Sequence, residues 1–354
     1  MKHRLITLLS LCPLLLGAAE SPRQFVGWTQ FDGFERSTNA AGDVTWLSPR
    51  MTCRPADEFV SSWNASLPSN DWLNVELRAF HHDTPTKFYA LGDWSLNPAQ
   101  HPRESIPGQQ DADGDVDTDT LQLRAPANAF QFRLTLDATT NAAPLKLLAV
   151  SLINTRLTVK PRASLRSVWG QYLTVPERSQ HDYAEGGGWC SPTTVTMLLG
   201  FWAAKLHRSD LLFTVPDVAH AIYDATWKGT GNWSFNMAFA GEPAGLRACV
   251  TRFDDVRELE DWIAHGYPVG VSICYDRLRG VGPGPNGHLM VVAGFTKTGD
   301  VVFNDPAGRQ DVRRVFSRKR FLYAWKYSKN TVYLVYPEGA VLPPDCFGHW
   351  SLNP

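Results

Sequence analysis

The apolar residues of this chain are grouped differently on the two sides of residues 158–168, and that change bounds the folds open to it. From 23 to 157 they fall in short runs, FVGWTQF, DVTWLS, WLNVELRAF, KFYALGDW, TLQLRA, AFQFRLTLDA and LKLLAVSLI, with polar turns between. Runs of that length, rich in aromatic and β-branched residues, read as strands. In NVELRAF and AFQFRLTL the apolar and polar residues alternate, the pattern of a strand with one wet face, so residues 23–157 are expected to form an all-β sandwich. Residues 158–168 are basic and contain proline, as a linker does. From 169 to 354 helix and strand signals mix, which predicts an α+β domain, and 354 residues exceed what one core usually serves.

Within the second part, the run GGGWCSPTTVTMLLGFW places Cys190 where a glycine-rich loop turns into an apolar helix. Unpaired N–H groups and the positive end of the helix dipole stabilise a thiolate there. Pro192 suits the first helical turn, and Gly186, Gly187 and Gly188 leave room for a substrate backbone in front of the sulfur, with Trp189 beside it. His288 opens a strand-like run, HLMVVAGF, and the turn TKTGD leads to a second run, VVF, that ends in Asn304-Asp305. A hairpin brings the start of its first strand and the end of its second to one end of the sheet. A turn centred on Thr298-Gly299 sets Asp305 opposite Val292, four residues from His288 or about 13 Å along the strand. Centring on Thr296-Lys297 sets the two residues directly opposite. Glycine chemistry favours the first register; a His-Asp couple requires the second, or a bulge.

These residues resemble the papain-like cysteine peptidases of the bacteriocin-leader-processing, double-glycine type, in particular their secreted relatives without transporter domains. The resemblance rests on a Gln ahead of a Trp-Cys-Ser-Pro helix start, a Gly-His strand and an Asn-Asp-Pro after the next strand, and it spans Leu173 to Trp325. It implies a papain-like α+β fold, with Cys190 as nucleophile, His288 as general base and acid, Asp305 as the residue orienting the imidazole, and Gln180 as an oxyanion-hole donor. The gap from Gln180 to Cys190 is longer than in the leader peptidases, which leaves Gln171 as the alternative; His181 is the other local histidine. The implied reaction is cleavage of a peptide or isopeptide bond through a thioester, with no cofactor. A transglutaminase-like acyl transfer and a catalytically silent binding protein are the competing classes.

Other segments carry further expectations. KGTGNWSFNMAF combines glycines with Asn232, Trp233 and Asn236, a mixture suited to a substrate-binding loop, and RGVGPGPNGH brings a flexible wall or lid up to His288. Trp28, Trp46, Trp63, Trp72, Tyr89 and Trp94 could stack on cell-wall glycan or fill the sandwich core. Asp111, Asp113, Asp115, Asp117 and Asp119 alternate around Gly114, as calcium ligands or as a solvated acidic loop. The histidines form no HExxH pattern.

Residues 1–19 combine a basic start, an apolar stretch and the small residues Gly17-Ala18-Ala19, which reads as a cleaved secretory signal and a periplasmic or extracellular destination. No later segment approaches a membrane span. With 34 Lys+Arg against 35 Asp+Glu, the chain has no electrostatic footprint for nucleic acid, so peptide or protein substrates are the expected partners. Cysteines 53, 190, 249, 274 and 346 follow the signal; one working thiol with up to two disulfides, Cys249–Cys274 first, or four buried unpaired thiols, are both open.

Overall fold

The computed structural model describes residues 21–68, 70–137 and 145–354, so the expected signal at 1–19 lies outside the described residues. The first part is antiparallel sheet almost throughout, but it is one hydrogen-bonded sheet in place of two separate ones. Two long strands, Met51–Ala65 and Thr120–Leu136, explain how. The early residues of Thr120–Leu136 pair with Glu58–Val60 and with the strand Gly114–Asp117, whereas the later ones pair with Trp72–His81 and Val44–Leu47. Register shifts around Ala56 mark the corner. Bulges of this kind let one strand serve two layers. The layers meet through Trp28, whose ring stands edge-on to Phe130 and Phe132 at 6.2 and 6.1 Å.

The aromatics considered for glycan stacking fill this core instead. Trp28, Trp46, Trp63, Tyr89 and Trp94 are all buried, and Trp72 is half-buried against His101. The acids weighed as calcium ligands make contacts within the protein. Asp111 accepts from Tyr89 Oη and from the backbone N–H of Asp113 and Gly114, and it pairs with Lys87. Asp113 is exposed, Asp115 accepts from its neighbour's N–H, and Asp119 is buried against Thr120 and the Trp233 N–H. Only Asp115 and Asp117 lie on the strand Gly114–Asp117, with Asp111 and Asp113 before it and Asp119 after it, and among the described residues no three of these acids come close enough to share a cation.

The second part has a six-stranded antiparallel sheet in the order Leu246–Arg252, Thr331–Pro337, Val269–Cys274, Gly287–Phe295, Val301–Asn304, Arg313–Phe316. Helix α1, Cys190–Leu206, lies across its middle and is buried from Ser191 to Ala203, as an all-round apolar sequence demands. The fit is tight at Gly270, where a Cβ would meet Tyr333 Cβ of the next strand at 2.9 Å and Thr194 Cγ2 of the helix at 3.2 Å. Glycine there makes room for the neighbouring strand and for the helix at once.

The two parts share a continuous apolar core. Buried Asn64 of the first donates to Met237 O and Ala248 O and accepts from Ala248 N, while Ser62 accepts from Val250 N. The connecting residues are strapped to the helix Val256–Ala264: Arg162 N–H reaches Asp255, and Leu165 N–H and the Trp169 indole reach Glu260. The chain end does not remain in the second domain as the sequence suggests. Trp350–Leu352 pairs in parallel with Arg23–Trp28 and extends the first sheet. His349, just before it, is buried between Asp254 and Glu258, with Nε2 2.7 Å from Glu258 Oε2. Among the described residues no helix is long and apolar enough to cross a membrane.

Candidate active site

Cys190 is the first residue of α1, so its backbone N–H has no partner within the helix. The helix start is fixed from beneath by a buried network in which Ser191 Oγ donates to Asn236 Oδ1 at 2.7 Å and lies 3.0 Å from Tyr333 Oη. His288 enters from the sheet: it sits on Gly287–Phe295 opposite Ile273 of the neighbouring strand and is buried. Its ring is hydrogen-bonded to Cys190 on one side and, through Nε2, to Asp305 Oδ1 at 2.7 Å on the other. Nδ1 is therefore the nitrogen that faces sulfur.

Asp305 reaches His288 through a compromise between the two expected registers. Val301 pairs with Phe295 and Val302 with Gly294, but a bulge at Ala293 sets Phe303 against Val292 and Asn304 against Val291. Continued without the bulge, the pairing would put Asp305 opposite Val291 and on the other face from His288. With it, Asp305 falls beside Met290, two residues along and on the same face. The strand ends there, and Asp305 N donates to Val312 O at 2.8 Å as the chain turns away.

The three side chains shape one another's charge. Burial pushes the Cys190 thiol up, but the His288 hydrogen bond and charge, aided by the N–H groups of Leu289 and Ser191, outweigh it and hold the thiol below its ordinary value. Burial lowers His288, yet Asp305 and Cys190 raise it to about 9. Burial raises Asp305, and its bonds from His288, Tyr275 and Ala307 N bring it below the usual carboxylate value. Both shifts run in the direction of a thiolate beside an imidazolium.

Gln180 is buried on a short helical turn, and the turns Gln180–Asp182 and Gly186–Gly188 fold up the long gap to Cys190. Its N–H donates to Pro306 O at 2.9 Å, next to Asp305, and Asn304 Nδ2 ties the preceding segment through Val175 O and Pro176 O. The Gln180 amide donates to Gly186 O at 3.0 Å and Gly187 O at 3.3 Å. A Cβ on Gly186 would lie 1.7 Å from Gln180 O, so this packing needs glycine. Gln171 is exposed, with its amide bonded to Ser167 O, and is not part of the cluster.

Among the residues expected to bind substrate, Gly188 and Trp189 adjoin Cys190. Gly188 is exposed and its carbonyl accepts from Thr230 Oγ1; Trp189 is half-buried beside Tyr183 and His220. Asn232 and Asn236 are fully buried and engaged elsewhere. Asn232 caps the helix Trp233–Ala240 by accepting from Phe235 N and donates to Asp224, and Asn236 donates to Thr230 O and Asn232 O. The expected flexible loop is thus largely a helix, because Asn232 stops the chain at a cap and the apolar residues after it pack inward. Trp233 is half-buried, with its N–H on Asp119.

Sequence reading missed Tyr275 and Arg314. Tyr275 Oη donates to Asp305 Oδ2 at 2.7 Å, its ring lies 4.3 Å from that of His288, and Arg314 Nη1 reaches the same Oδ2 at 3.1 Å. Tyr275 follows the strand paired with His288, and Arg314 pairs with Phe303, so only strand order could have revealed them. All five described cysteines are free, including Cys249 and Cys274, which corrects the expected disulfide. The only His-acid group among the described residues close enough to share a cation, Asp254, Glu258 and His349, is the buried cluster at the chain end.

Residues 23–152 match the family model described as Peptidase C39 N-terminal domain, and residues 172–333 match the Peptidase C39 like family. The second match contains Cys190, His288 and Asp305 and supports a peptidase hydrolase. No curated protein matches the chain.

Proposed function

We propose that this chain, a C39-like peptidase domain joined to a C39 N-terminal domain, is a cysteine peptidase that hydrolyses peptide bonds through Cys190, His288 and Asp305. The observation that carries the reading is His288 bonded at once to the Cys190 thiol and the Asp305 carboxylate. A nucleophile on a helix start packed against an antiparallel sheet that bears the base is also the layout expected of a papain-like domain.

The Cys190 thiolate attacks the scissile carbonyl carbon, and the electron pair moves to the carbonyl oxygen. The Cys190 N–H meets that oxyanion in this reading, and Gln180 joins it by releasing the weaker bond to Gly187; such donors commonly contribute about 10²–10³ in rate. His288 Nδ1 gives its proton to the leaving amine, and a thioester remains on Cys190. Water then attacks the thioester, His288 takes its proton, and the carboxylic acid departs as the thiolate returns. Asp305 stays ionised throughout and holds Nε2. Residues 1–19 support export, with cleavage after Ala19.

The test is digestion of a quenched-fluorescence peptide library by the purified protein and by Cys190→Ala. Cleavage that disappears in the variant, with water and not added hydroxylamine as the sole required acceptor, supports the reading. A wild type whose Cys190 resists iodoacetamide at pH 6 while folded overturns it. N-terminal sequencing of the exported protein tests the cleavage position.

A further inference from the structure

The second carboxylate oxygen of Asp305 and the outer face of His288 are both occupied by residues with no part in the bond-making steps above. Tyr275 begins the short helix Tyr275–Arg279, immediately after the strand that pairs with His288, and its N–H is anchored on Asn286 O at 2.8 Å. From there its ring covers His288 at 4.3 Å with a tilt of 38°, and its hydroxyl donates to Asp305 Oδ2. The Arg279 guanidinium lies 4.5 Å from the same tyrosine ring. Arg314 approaches from the sheet edge; its Nη1 donates to Tyr275 Oη at 3.2 Å and to Asp305 Oδ2 at 3.1 Å, while its other end pairs with Asp311.

Resting on the reading of the site as a cysteine peptidase, we infer that Tyr275 and Arg314 are positioning residues that together set the geometry and proton affinity of the His288–Asp305 couple. A carboxylate free to rotate offers either oxygen to an imidazole. Here two donors hold Oδ2, so Oδ1 is the oxygen left for His288, and Ala307 N–H supports it at 2.9 Å. The Tyr275 ring fixes the plane of the imidazole and keeps water from the bond between Nε2 and Asp305. The groups facing His288 are then Cys190 from α1, Asp305 and Arg314 from the sheet edge, and Tyr275 with Arg279 from the short helix. Of these, Arg314 is the cation nearest the carboxylate. It offsets part of the Asp305 charge that would otherwise make His288 too reluctant to release its proton to the leaving amine.

The experiment measures the rate of Cys190 alkylation by iodoacetamide and, with a cleaved peptide, kcat and KM across pH, in wild type, Tyr275→Phe, Arg314→Gln and Arg314→Lys. Alkylation needs no substrate, so it separates this inference from the peptidase reading. Loss of a cation raises every neighbouring proton affinity, so Arg314→Gln is expected to move both limbs of the profile upward by about half a pH unit. Tyr275→Phe keeps the ring and removes one donor from Asp305, so it is expected to move the alkaline limb upward and lower kcat several-fold, with KM little changed. Arg314→Lys restores the limbs of the wild type. Limbs that stay fixed in Tyr275→Phe and Arg314→Gln, whatever happens to the rate, overturn the inference. A wild type with no early Cys190 alkylation overturns the peptidase reading on which it rests.

Discussion

His288 Nε2 meets Asp305 Oδ1 at 2.7 Å although the last backbone pair between their strands sets Asn304 against Val291. One bulged residue, Ala293, corrects the parity of the hairpin, and the early end of the second strand lets Asp305 lean back toward the base. The bulge is held by a neighbour: Gly294 forms a bridge with Tyr172, and a Cβ there would lie 2.3 Å from Gln171 O and 2.5 Å from Tyr172 Cα.

Gly294→Ala is therefore expected to destabilise the protein by about 3 kcal/mol, because the opposing atoms are backbone and cannot swing aside. Urea midpoints measure this. A midpoint equal to that of the wild type would mean that the contact is not needed.

The pH dependence of activity follows from the charges of the couple. As pH falls, the Cys190 thiolate takes up a proton, and because the thiol is held below its ordinary value this limb lies on the acid side of 9.0. As pH rises, His288 loses its proton near its raised value of about 9, and the leaving amine no longer has a donor. A plateau between these limbs is expected in kcat/KM. His288→Ala should return Cys190 alkylation to the alkaline range of an ordinary thiol.

Alkylation should also be selective. Burial pushes Cys53 and Cys346 up to about 12, and Cys249 is raised further. Cys274 is buried, with its thiol on Gly284 O. Peptide mapping after a short exposure to iodoacetamide at pH 7 is expected to find one modified cysteine, Cys190.

Asn64→Ala removes the partner of Ala248 N, Ala248 O and Met237 O in a place closed to water, and about 3 kcal/mol is the expected loss. Because the core is continuous, both parts should unfold in a single transition, read by coincident fluorescence and circular dichroism curves. Two separate transitions would contradict this.

His349 gives a pH effect on stability. Burial lowers it, but Glu258, Asp254 and Asp345 raise it above 6.5. A group raised in the folded state stabilises fully below its unfolded value and loses that contribution as pH rises through the folded one. Wild-type stability should then decline with pH above 6.5 through this group. His349→Gln, which leaves Asp254 and Glu258 facing each other, should cost about 3 kcal/mol at pH 6 and flatten the slope.

Much of this was legible in advance, for reasons that differ by residue. Cys190 announced itself because glycine, tryptophan and proline around a helix start are local signals, and His288 and Asn304-Asp305 lie at the ends of strand-like runs. The register between them was not legible, since a bulge at Ala293 depends on Tyr172, more than a hundred positions earlier. Asn232 and Asn236 misled because side-chain chemistry is the same at a cap and in a cleft, and only burial tells them apart. Tyr275 and Arg314 were invisible for a related reason: neither belongs to a motif, and both act through the order of strands in the sheet. The tryptophans of the first part could be assigned to core or surface only once the two layers had been placed face to face.

The parallel pairing of Trp350–Leu352 with Arg23–Trp28 has a temporal meaning as well as a spatial one. During synthesis the strand Arg23–Trp28 must keep its outer side open until residues 350–352 have appeared. Any product cut short before residue 350 leaves Phe25 without Trp350 beside it and presents an unpaired strand edge, the kind of surface that sticks to other chains or is cleared by proteases.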